Sequence, residues 1–299
     1  MKNYLELLDK IMAHGEDRMD RTGVGTRALF CEKLSWDLRK GFPIVTTKYV
    51  FLKPLVGELV AFIRGCDNSE EFRQLGCGFW DANANADYWL KNPNRKDLTG
   101  DLGRIYGVQW RDWRGVSRDG IIHQVDQLRN VLEQIKKDPF GRRHIVTAWN
   151  PGELDQMALP PCHILYQFFV AEGDYKKDEV THEPKEAPFK YLDMMMVQRS
   201  CDAFLGVPYN ISSYALLLCL VAEALDMKPR NLSIVFNDVH IYNNHFDQVK
   251  EQLKRTPFEL PKLELNPFLD FDHFFEIEPG DIRLIGYQHH NHIAAKMNV

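Results

Sequence analysis

The stretch ISSYALLLCLVAEALDM, residues 211–227, is apolar nearly all round when it is wound as a helix. A helix without a polar face has to be buried. Segments with the composition of strands flank it on both sides: HIVTAWN (144–150), HILYQFFVA (163–171), FKYLDMMMVQRS (189–200) and LSIVFNDVHIY (232–242). Because these strands are grouped late instead of alternating with helices, the sequence predicts a single α+β domain over residues 1–299.

Periodicity predicts the remaining elements on either side of this group. Apolar residues at helical spacing, followed by glycine or proline, indicate helices. These helices are expected at 3–14, 54–65, 120–141 and 243–257, and a further strand is expected at 26–38. In the 120–141 segment, Ile121, Val125 and Leu128 are expected on one helical face. The charged, proline-bearing segment 172–190 is expected to be an exposed hairpin insertion.

Composition narrows the classes of function. The chain has 299 residues, 44% hydrophobic and 26% charged, as in ordinary globular proteins. A net charge of −5 does not favour a protein that binds nucleic acid or a membrane surface. No window approaches the roughly 18 apolar residues of a membrane span, and the N-terminus lacks a signal-like apolar run. The six cysteines are scattered, so we expect a reduced, cytoplasmic location.

Cys162 lies in ALPPCHILYQFF, residues 158–169. A nucleophilic cysteine needs a lowered pKa, which cationic neighbours, a helix N-terminus or a histidine can supply. His163 is adjacent, but neighbours on a strand point to opposite faces, so adjacency does not make it the base. Most single cysteines are small buried hydrophobic residues, and we interpret the other five in that way. The residue alone leaves nucleophile, ligand and inert thiol open.

Arginines beside small or hydroxylic residues occur in DRTGVGT (20–26), at 142–143 and in QRS (198–200). Planar guanidinium groups with nearby hydroxyls suit a phosphate, although an arginine pair taken alone more often lies on a solvated or salt-bridged surface. RTGVGT lacks the GxxxxGK[ST] pattern of a phosphate-binding loop. Glu58 stands among apolar residues of the 54–65 helix. It is either on the solvent face or a buried carboxylate suited to proton transfer.

The tail GYQHHNHIAAKMNV contains three histidines in four residues. Adjacent histidines do not match the i, i+4 spacing of helical metal ligands, and no Cys or Asp cluster lies nearby. We therefore expect no metal.

Taken together, the segments resemble one family. Seven blocks carry the resemblance, and they occur in the order and approximate spacing of thymidylate synthase. These blocks are DRTGVGT (20–26), KGFPIVTTKYVFLKPLVGEL (40–59), FWDANA (79–84), GDLGRIYGVQWRDW (100–113), RRHIVTAWNPGELDQMALPPCH (142–163), QRSCDAFLGVPYNISSYALL (198–217) and DVHIYNNH (238–245). The resemblance covers nearly the whole chain. It implies a large mixed β-sheet flanked by helices, whose back face pairs two subunits in an obligate homodimer.

The resemblance also implies a reaction. The family converts dUMP to dTMP with 5,10-methylenetetrahydrofolate as donor of carbon and hydride, and it releases dihydrofolate. The Cys162 thiolate would add to C6 of the uracil and make C5 a nucleophile. Arg199 would lie near this thiol and lower its pKa.

The resemblance assigns further roles to matching positions. The catalytic positions are Cys162, Glu58, Tyr106, His163, Asp202 and Asn210. The dUMP-binding positions are Arg21, Arg142, Arg143, Arg199, Ser200, Asn210, His240 and Tyr242, with Arg142 and Arg143 reaching the partner's site. The folate-binding positions are Lys48, Trp80, Asn83, Asp202 and Val299. Asparagine at 210 suits uracil, whereas the related deoxycytidylate hydroxymethylases carry aspartate there.

Three departures from the family bear on the reaction. Asn237 stands where glycine is usual, and asparagine tolerates a positive φ. Arg104 replaces a common proline. The tail loses two prolines and carries alanines after Ile293. A tail that closes loosely would admit water, and the alternative product would be 5-hydroxymethyl-dUMP. A catalytically inactive nucleotide- or RNA-binding protein is the third hypothesis, which intact Cys162 and Glu58 disfavour.

Overall fold

The computed structural model describes residues 1–173 and 189–298. In these ranges the helices are α1 (Lys2–His14), α2 (Leu52–Arg64), α3 (Ser69–Gln74), α4 (Asp81–Ala84), α5 (Asp87–Leu90), α6 (Tyr106–Arg111), α7 (Gln127–Lys137), α8 (Gly206–Ala224) and α9 (Phe246–Leu253). The strands are β1 (Glu16–Arg18), β2 (Thr26–Asp37), β3 (Trp113–Val116), β4 (Ile122–Val125), β5 (Ile145–Thr147), β6 (His163–Glu172), β7 (Lys190–Asp202), β8 (Lys228–Tyr242), β9 (Lys262–Leu265) and β10 (Ile282–Ile285).

Six of these strands form the main sheet, in the order β1-β2-β8-β7-β6-β5. β7 and β8 run parallel, and the other neighbours are antiparallel. The large mixed sheet flanked by helices is therefore confirmed. A parallel pair needs a crossover connection, and α8 supplies it.

The crossover helix α8 is the centre of the core. Its apolar side chains are buried nearly all round, as predicted. By length and composition α8 could cross a membrane, but 83% of its 18-residue window is buried inside the protein. Burial of this kind is expected of a core helix.

One predicted helix is wrong at its start. Residues 122–125 form β4, which pairs with β3, and α7 begins only at Gln127. Gly120 allows the hairpin turn with a φ of 84°. Asp126 then caps α7, because its carboxylate accepts a hydrogen bond from the Arg129 amide at 2.9 Å. Ile121 and Val125 matched the helical period by coincidence.

The two faces of the sheet differ in exposure. The face toward α8 is closely packed. On the other face a row of paired residues crosses five strands and is exposed or half-buried. The row consists of Ile145, Gln167, Met195, Ser233 and Ser35.

The 172–190 insertion is described only at its base. Glu172 pairs with Lys190, and the Gly173 amide donates to the Phe189 carbonyl at 2.9 Å. The remainder, 174–188, lies outside the described residues.

Positive φ angles correct one detail of the sequence interpretation. Asn237 does not use the left-handed region, whereas Cys31 in the neighbouring strand has a φ of 64°. Cys31 falls in a gap in the β2–β8 register between Phe30 and Glu32. The unusual backbone therefore lies on β2, opposite the expected position.

Candidate active site

A cavity of about 510 Å³ opens beside Cys162. It lies where the ends of β7 and β8 meet the loop after β1. Six residues that the sequence assigned to one site line it together: Arg21, Cys162, Arg199, Ser200, His240 and Tyr242. Ser200 and Arg199 come from β7, and His240 and Tyr242 come from β8.

Hydrogen bonds hold the backbone around Cys162. The Cys162 amide donates to the Tyr106 hydroxyl at 2.7 Å. The Arg199 guanidinium donates from Nε to the Pro161 carbonyl at 2.7 Å and from Nη2 to the Pro160 carbonyl at 2.9 Å. The Pro-Pro segment is thus fixed between β7 and α6, and the thiol is presented to the cavity.

Opposing effects act on the pKa of Cys162. Burial raises the pKa of the thiol above its ordinary value, whereas Arg199, the hydrogen bond with Tyr106 and Arg21 act in the opposite direction. Arg199 therefore lowers the pKa as expected, but burial outweighs it. Cys162 rests as the neutral thiol at neutral pH.

Glu58 lies behind Cys162, outside the residues that line the cavity, in a cluster with Trp80, Tyr106 and Tyr214. The Trp80 indole Nε1 donates to the Glu58 carboxylate at 2.9 Å. Burial raises the pKa of Glu58 to about 7, and the bond from Trp80 opposes the shift. Glu58 is half-buried and bonded to Trp80, so of the two interpretations left open by the sequence the structure disfavours the solvent face. Such a group can accept or release a proton near neutral pH.

His163 forms the aromatic wall beside this carboxylate. Its ring stacks on Tyr106 with centroids 4.1 Å apart, and its Nδ1 lies 2.6 Å from the Tyr214 hydroxyl. Burial lowers the pKa of His163 to about 3, so the ring is neutral. His163 adds shape and a polar edge to the site without adding charge.

Gln198 is a site residue that the sequence did not reveal. Its Nε2 donates to the Asn210 Oδ1 at 3.0 Å and to the Ser200 carbonyl at 3.1 Å. Since Asn210 Oδ1 is an acceptor in this bond, the orientation of the Asn210 amide is fixed. The only signal in the sequence was the position of Gln198 within the QRS block.

The folate positions are only partly brought together. Asp202, at the end of β7, accepts hydrogen bonds at Oδ1 from the Phe204 and Leu205 amides, at 3.0 and 2.9 Å. Trp80 and Asn83 lie at the start of α4 and within it. An indole face and a carboxylate fit a pterin, which offers a flat ring and N–H donors. Val299 lies outside the described residues.

Lys48, which the resemblance assigns to the folate, is held inside the protein. Its side chain is 2% exposed, and its ammonium donates to the Phe204 carbonyl and lies 3.8 Å from the centroid of the Phe204 ring. Burial lowers the pKa of Lys48 to about 7.

Arg142 and Arg143 lie in the loop between α7 and β5. Both side chains are exposed, and neither lines the cavity of its own chain.

Arg104 anchors the segment before Tyr106. Its Nε donates to Glu153 at 2.7 Å, its Nη1 lies 3.0 Å from Asp112, and Gln109 donates to the same Glu153 oxygen at 2.7 Å. Arg104 and Glu153 are both buried. The network joins the start of α6 to the 150–157 loop that leads to Cys162, so it can replace the rigidity of a proline.

The tail histidines diverge into separate contacts. The ring centroids are 4.4 Å apart for His289 and Tyr49, 4.8 Å for His290 and Phe258, and 5.3 Å for His292 and Phe51. Within the described ranges, no group of three or more His, Cys, Asp or Glu side chains is arranged to hold a metal ion.

A comparison with protein families identifies the family of the chain. The family model described as Thymidylate synthase matches residues 2–299, which is essentially the whole chain.

Proposed function

Because the chain belongs to the thymidylate synthase family, we propose that it converts dUMP to dTMP with 5,10-methylenetetrahydrofolate. One observation carries this proposal. Cys162 opens into the same cavity as Arg21, Arg199 and Ser200 on one side and His240 and Tyr242 on the other. A phosphate suits the first group and a sugar hydroxyl suits the second, so a nucleotide would lie across the thiol.

The first step is the addition of Cys162 to the uracil. The thiol loses its proton, sulfur bonds to C6, and the C5=C6 electron pair shifts toward O4 as an enolate. Asn210 is held by Gln198 in one orientation to face the pyrimidine edge. Arg199 and Arg21 favour the thiolate that burial opposes.

In this proposal Glu58 carries out the proton transfers. The Glu58 carboxyl has a pKa of about 7, so it can exchange protons with the ring and with bound water. When bound, 5,10-methylenetetrahydrofolate supplies the carbon and then a hydride, and it leaves as dihydrofolate. Loss of the C5 proton and release of the Cys162 sulfur complete dTMP.

Contacts of the tail favour methylation over the hydroxymethylase alternative. His245 Nε2 donates to the Lys296 carbonyl at 2.8 Å, and the side-chain amides of Asn244 and Asn298 exchange hydrogen bonds of 3.0 and 3.1 Å. The His290 amide donates to the Thr46 carbonyl at 2.8 Å. Ile293 is buried. These contacts supply an order that the missing prolines would otherwise give, and an ordered tail excludes water.

The functional unit that we propose is a homodimer. The row of Ile145, Gln167, Met195, Ser233 and Ser35 offers a second copy a broad sheet face, and Phe169 on the same face is 63% exposed. Arg142 and Arg143 are free to extend to the partner's cavity, since they are exposed and do not line their own. The mass in solution, measured by light scattering, tests this.

The products decide between the candidate reactions. Purified full-length protein would be incubated with dUMP and 5,10-methylenetetrahydrofolate. We expect one dihydrofolate for each dTMP, followed by absorbance and by mass spectrometry of the nucleotide. A nucleotide heavier than dTMP by one oxygen, with the folate left as tetrahydrofolate, would establish the hydroxymethylase instead. Tight nucleotide binding without a covalent adduct to 5-fluoro-dUMP would indicate the inactive scaffold.

A further inference from the structure

Three side chains at the sugar end of the cavity form a chain of polar contacts. Asp238 and His240 alternate on β8 and so share one face with Tyr242. His240 Nδ1 lies 3.1 Å from Asp238 Oδ1, and Arg18 Nη1 lies 2.7 Å from Asp238 Oδ2. All of these residues line the cavity. Neither Asp238 nor Arg18 belongs to the set that the sequence assigned to the site.

The Asp238 carboxylate at 3.1 Å, and more weakly the Asp238 backbone carbonyl at 3.3 Å, determine which nitrogen of His240 carries the hydrogen. A carboxylate only accepts hydrogen bonds, so His240 Nδ1 must carry the hydrogen in this contact. In the neutral ring, Nε2 then holds a lone pair and accepts. The hydrogen bond from His240, together with the charge of Arg18, holds the pKa of Asp238 below its ordinary value despite partial burial. The carboxylate therefore stays charged and the tautomer stays fixed.

We propose that Asp238 is a positioning residue that presents His240 Nε2 as the acceptor for the 3′-hydroxyl of the nucleotide, with Arg18 holding Asp238 in place. This inference rests on the proposed function, because it requires a deoxyribonucleotide in the cavity. The 3′-hydroxyl would donate to His240. The centroids of the His240 and Tyr242 rings are 5.2 Å apart, edge to face, so the Tyr242 hydroxyl can form a second hydrogen bond with the 3′-hydroxyl.

The same arrangement couples two parts of the binding site. Arg18 ends β1, and Arg21 follows it by three residues in the loop that lines the cavity. Asp20 shapes this loop by accepting hydrogen bonds from the Thr22 hydroxyl at 2.8 Å and the Gly25 amide at 3.1 Å. Because Arg18 bridges to β8, the base of the phosphate-facing loop and the sugar-facing histidine share one anchor at Asp238.

The test uses a ligand that lacks the hydroxyl. Asp238→Asn keeps the shape of the side chain, but its amide can donate to Nδ1, which moves the ring hydrogen to Nε2. Calorimetry would measure binding of dUMP and of 2′,3′-dideoxyuridine 5′-monophosphate to the full-length protein. We expect dUMP to bind about tenfold more weakly to the variant. The dideoxy nucleotide should change by less than about twofold.

A matched control and a double variant separate positioning from folding. Asp17→Asn removes a comparable carboxylate on β1, which binds Arg27 at 2.7 and 3.0 Å. This control should leave both affinities unchanged. In a His240→Ala background, Asp238→Asn should cause no further loss of dUMP affinity, because it acts through the missing ring.

Two results would overturn the inference while leaving the proposed function intact. One is wild-type protein that binds dUMP and the dideoxy nucleotide equally well. The other is an Asp238→Asn variant that loses affinity for both ligands to the same extent, or for neither. Failure of the wild-type protein to bind dUMP would instead overturn the proposed function, and this inference with it.

Discussion

Two regions around Cys162, a floor behind it and the mouth of the cavity in front of it, are stabilised by different interactions. We call the cluster of Glu58, Trp80, Tyr106 and His163 behind Cys162 the floor; these residues do not line the cavity themselves, and ring contacts and hydrogen bonds set their geometry. The mouth, which does line the cavity, is charged and partly exposed, and ion pairs such as Arg18–Asp238 hold it. Ring packing is insensitive to salt, whereas exposed ion pairs are screened. The geometry of the floor should therefore depend little on ionic strength, whereas the contacts of the mouth should weaken as salt rises.

The electrostatic consequences differ as well. On the floor, burial raises the pKa of Glu58 to about 7 and lowers that of His163 to about 3. At the mouth, partners keep charged groups charged, as the lowered pKa of Asp238 shows. We expect changes on the floor to affect the chemical step and changes at the mouth to affect binding.

Cys162→Ser, at the junction of floor and mouth, should have the largest effect. Replacing the sulfur nucleophile should lower kcat by at least about a thousandfold, with dUMP binding retained. The covalent adduct with 5-fluoro-dUMP, measured by mass spectrometry of the intact protein, should disappear. Cys66→Ser is the matched control, since Cys66 is half-buried and lies outside this cavity, and it should keep both activity and adduct. An adduct that persists in Cys162→Ser would show that another residue attacks.

Glu58→Gln should separate chemistry from binding on the floor. We expect kcat to fall about a hundredfold while the Kd for dUMP changes little. An exposed carboxylate offers the control, Glu133→Gln on α7, which should retain full activity. A Glu58→Gln variant whose only defect is weaker dUMP binding would contradict the division between floor and mouth.

The same variant has a pH-dependent effect on stability. Folding raises the pKa of Glu58 from 4.5 to about 7, so between these values the folded state binds more protons than the unfolded chain. Wild-type stability therefore loses this contribution as pH rises through that window. As the pH rises from about 5 to about 7.5, the free energy of unfolding of Glu58→Gln should therefore increase relative to that of wild type, as measured by urea unfolding. A constant difference across the window would show that Glu58 is charged in the folded state throughout.

Arg21→Gln tests the mouth. The Arg21 side chain is exposed and faces the cavity, so its loss should raise the KM for dUMP about tenfold with little change in kcat. The effect should shrink at high ionic strength, because salt screens the phosphate contact. Arg118→Gln, an exposed arginine on the β3–β4 hairpin, is the control. A fall in kcat without a change in KM would show that Arg21 affects the chemical step and not the binding of dUMP.

Asn298→Ala should have the smallest effect. It removes the reciprocal hydrogen bonds with Asn244, which are worth about 1 kcal/mol each at most. We expect kcat to fall only severalfold and a small amount of 5-hydroxymethyl-dUMP to appear among the products. Met297→Ala, next to it and largely exposed, should not change the product ratio. Unchanged products in Asn298→Ala would show that the side-chain pair does not help to exclude water.

The fold followed from the sequence wherever the pattern had one solution. The α8 segment could only be a buried helix, and the long apolar segments around it could only be strands. The β3–β4 hairpin was missed because Ile121, Val125 and Leu128 fit a helical period as well as they fit a hairpin followed by a helix. The spacing of apolar residues alone does not distinguish one long helix from a hairpin followed by a helix. The turn at Gly120 and the cap at Asp126 show that the second is present.

The candidate site was predicted less completely from the sequence than the fold was. Family resemblance named residues that meet at the cavity, but it did not name the partners that orient them. Gln198, Asp238 and Glu153 lie within the matching blocks, and only the structure shows their contacts with Asn210, His240 and Arg104. For the same reason, no local pattern shows that the Phe204 carbonyl holds the Lys48 ammonium inward.

The crossover between β7 and β8 has a consequence for synthesis. The nineteen residues of α8 leave the ribosome before β8 exists, so the nascent chain carries a helix apolar enough to enter a bilayer with nothing yet to cover it. Its partner strand ends at Tyr242, and until then the parallel pair cannot close. We expect the emerging chain to bind chaperones in this interval and to aggregate when translation outpaces them.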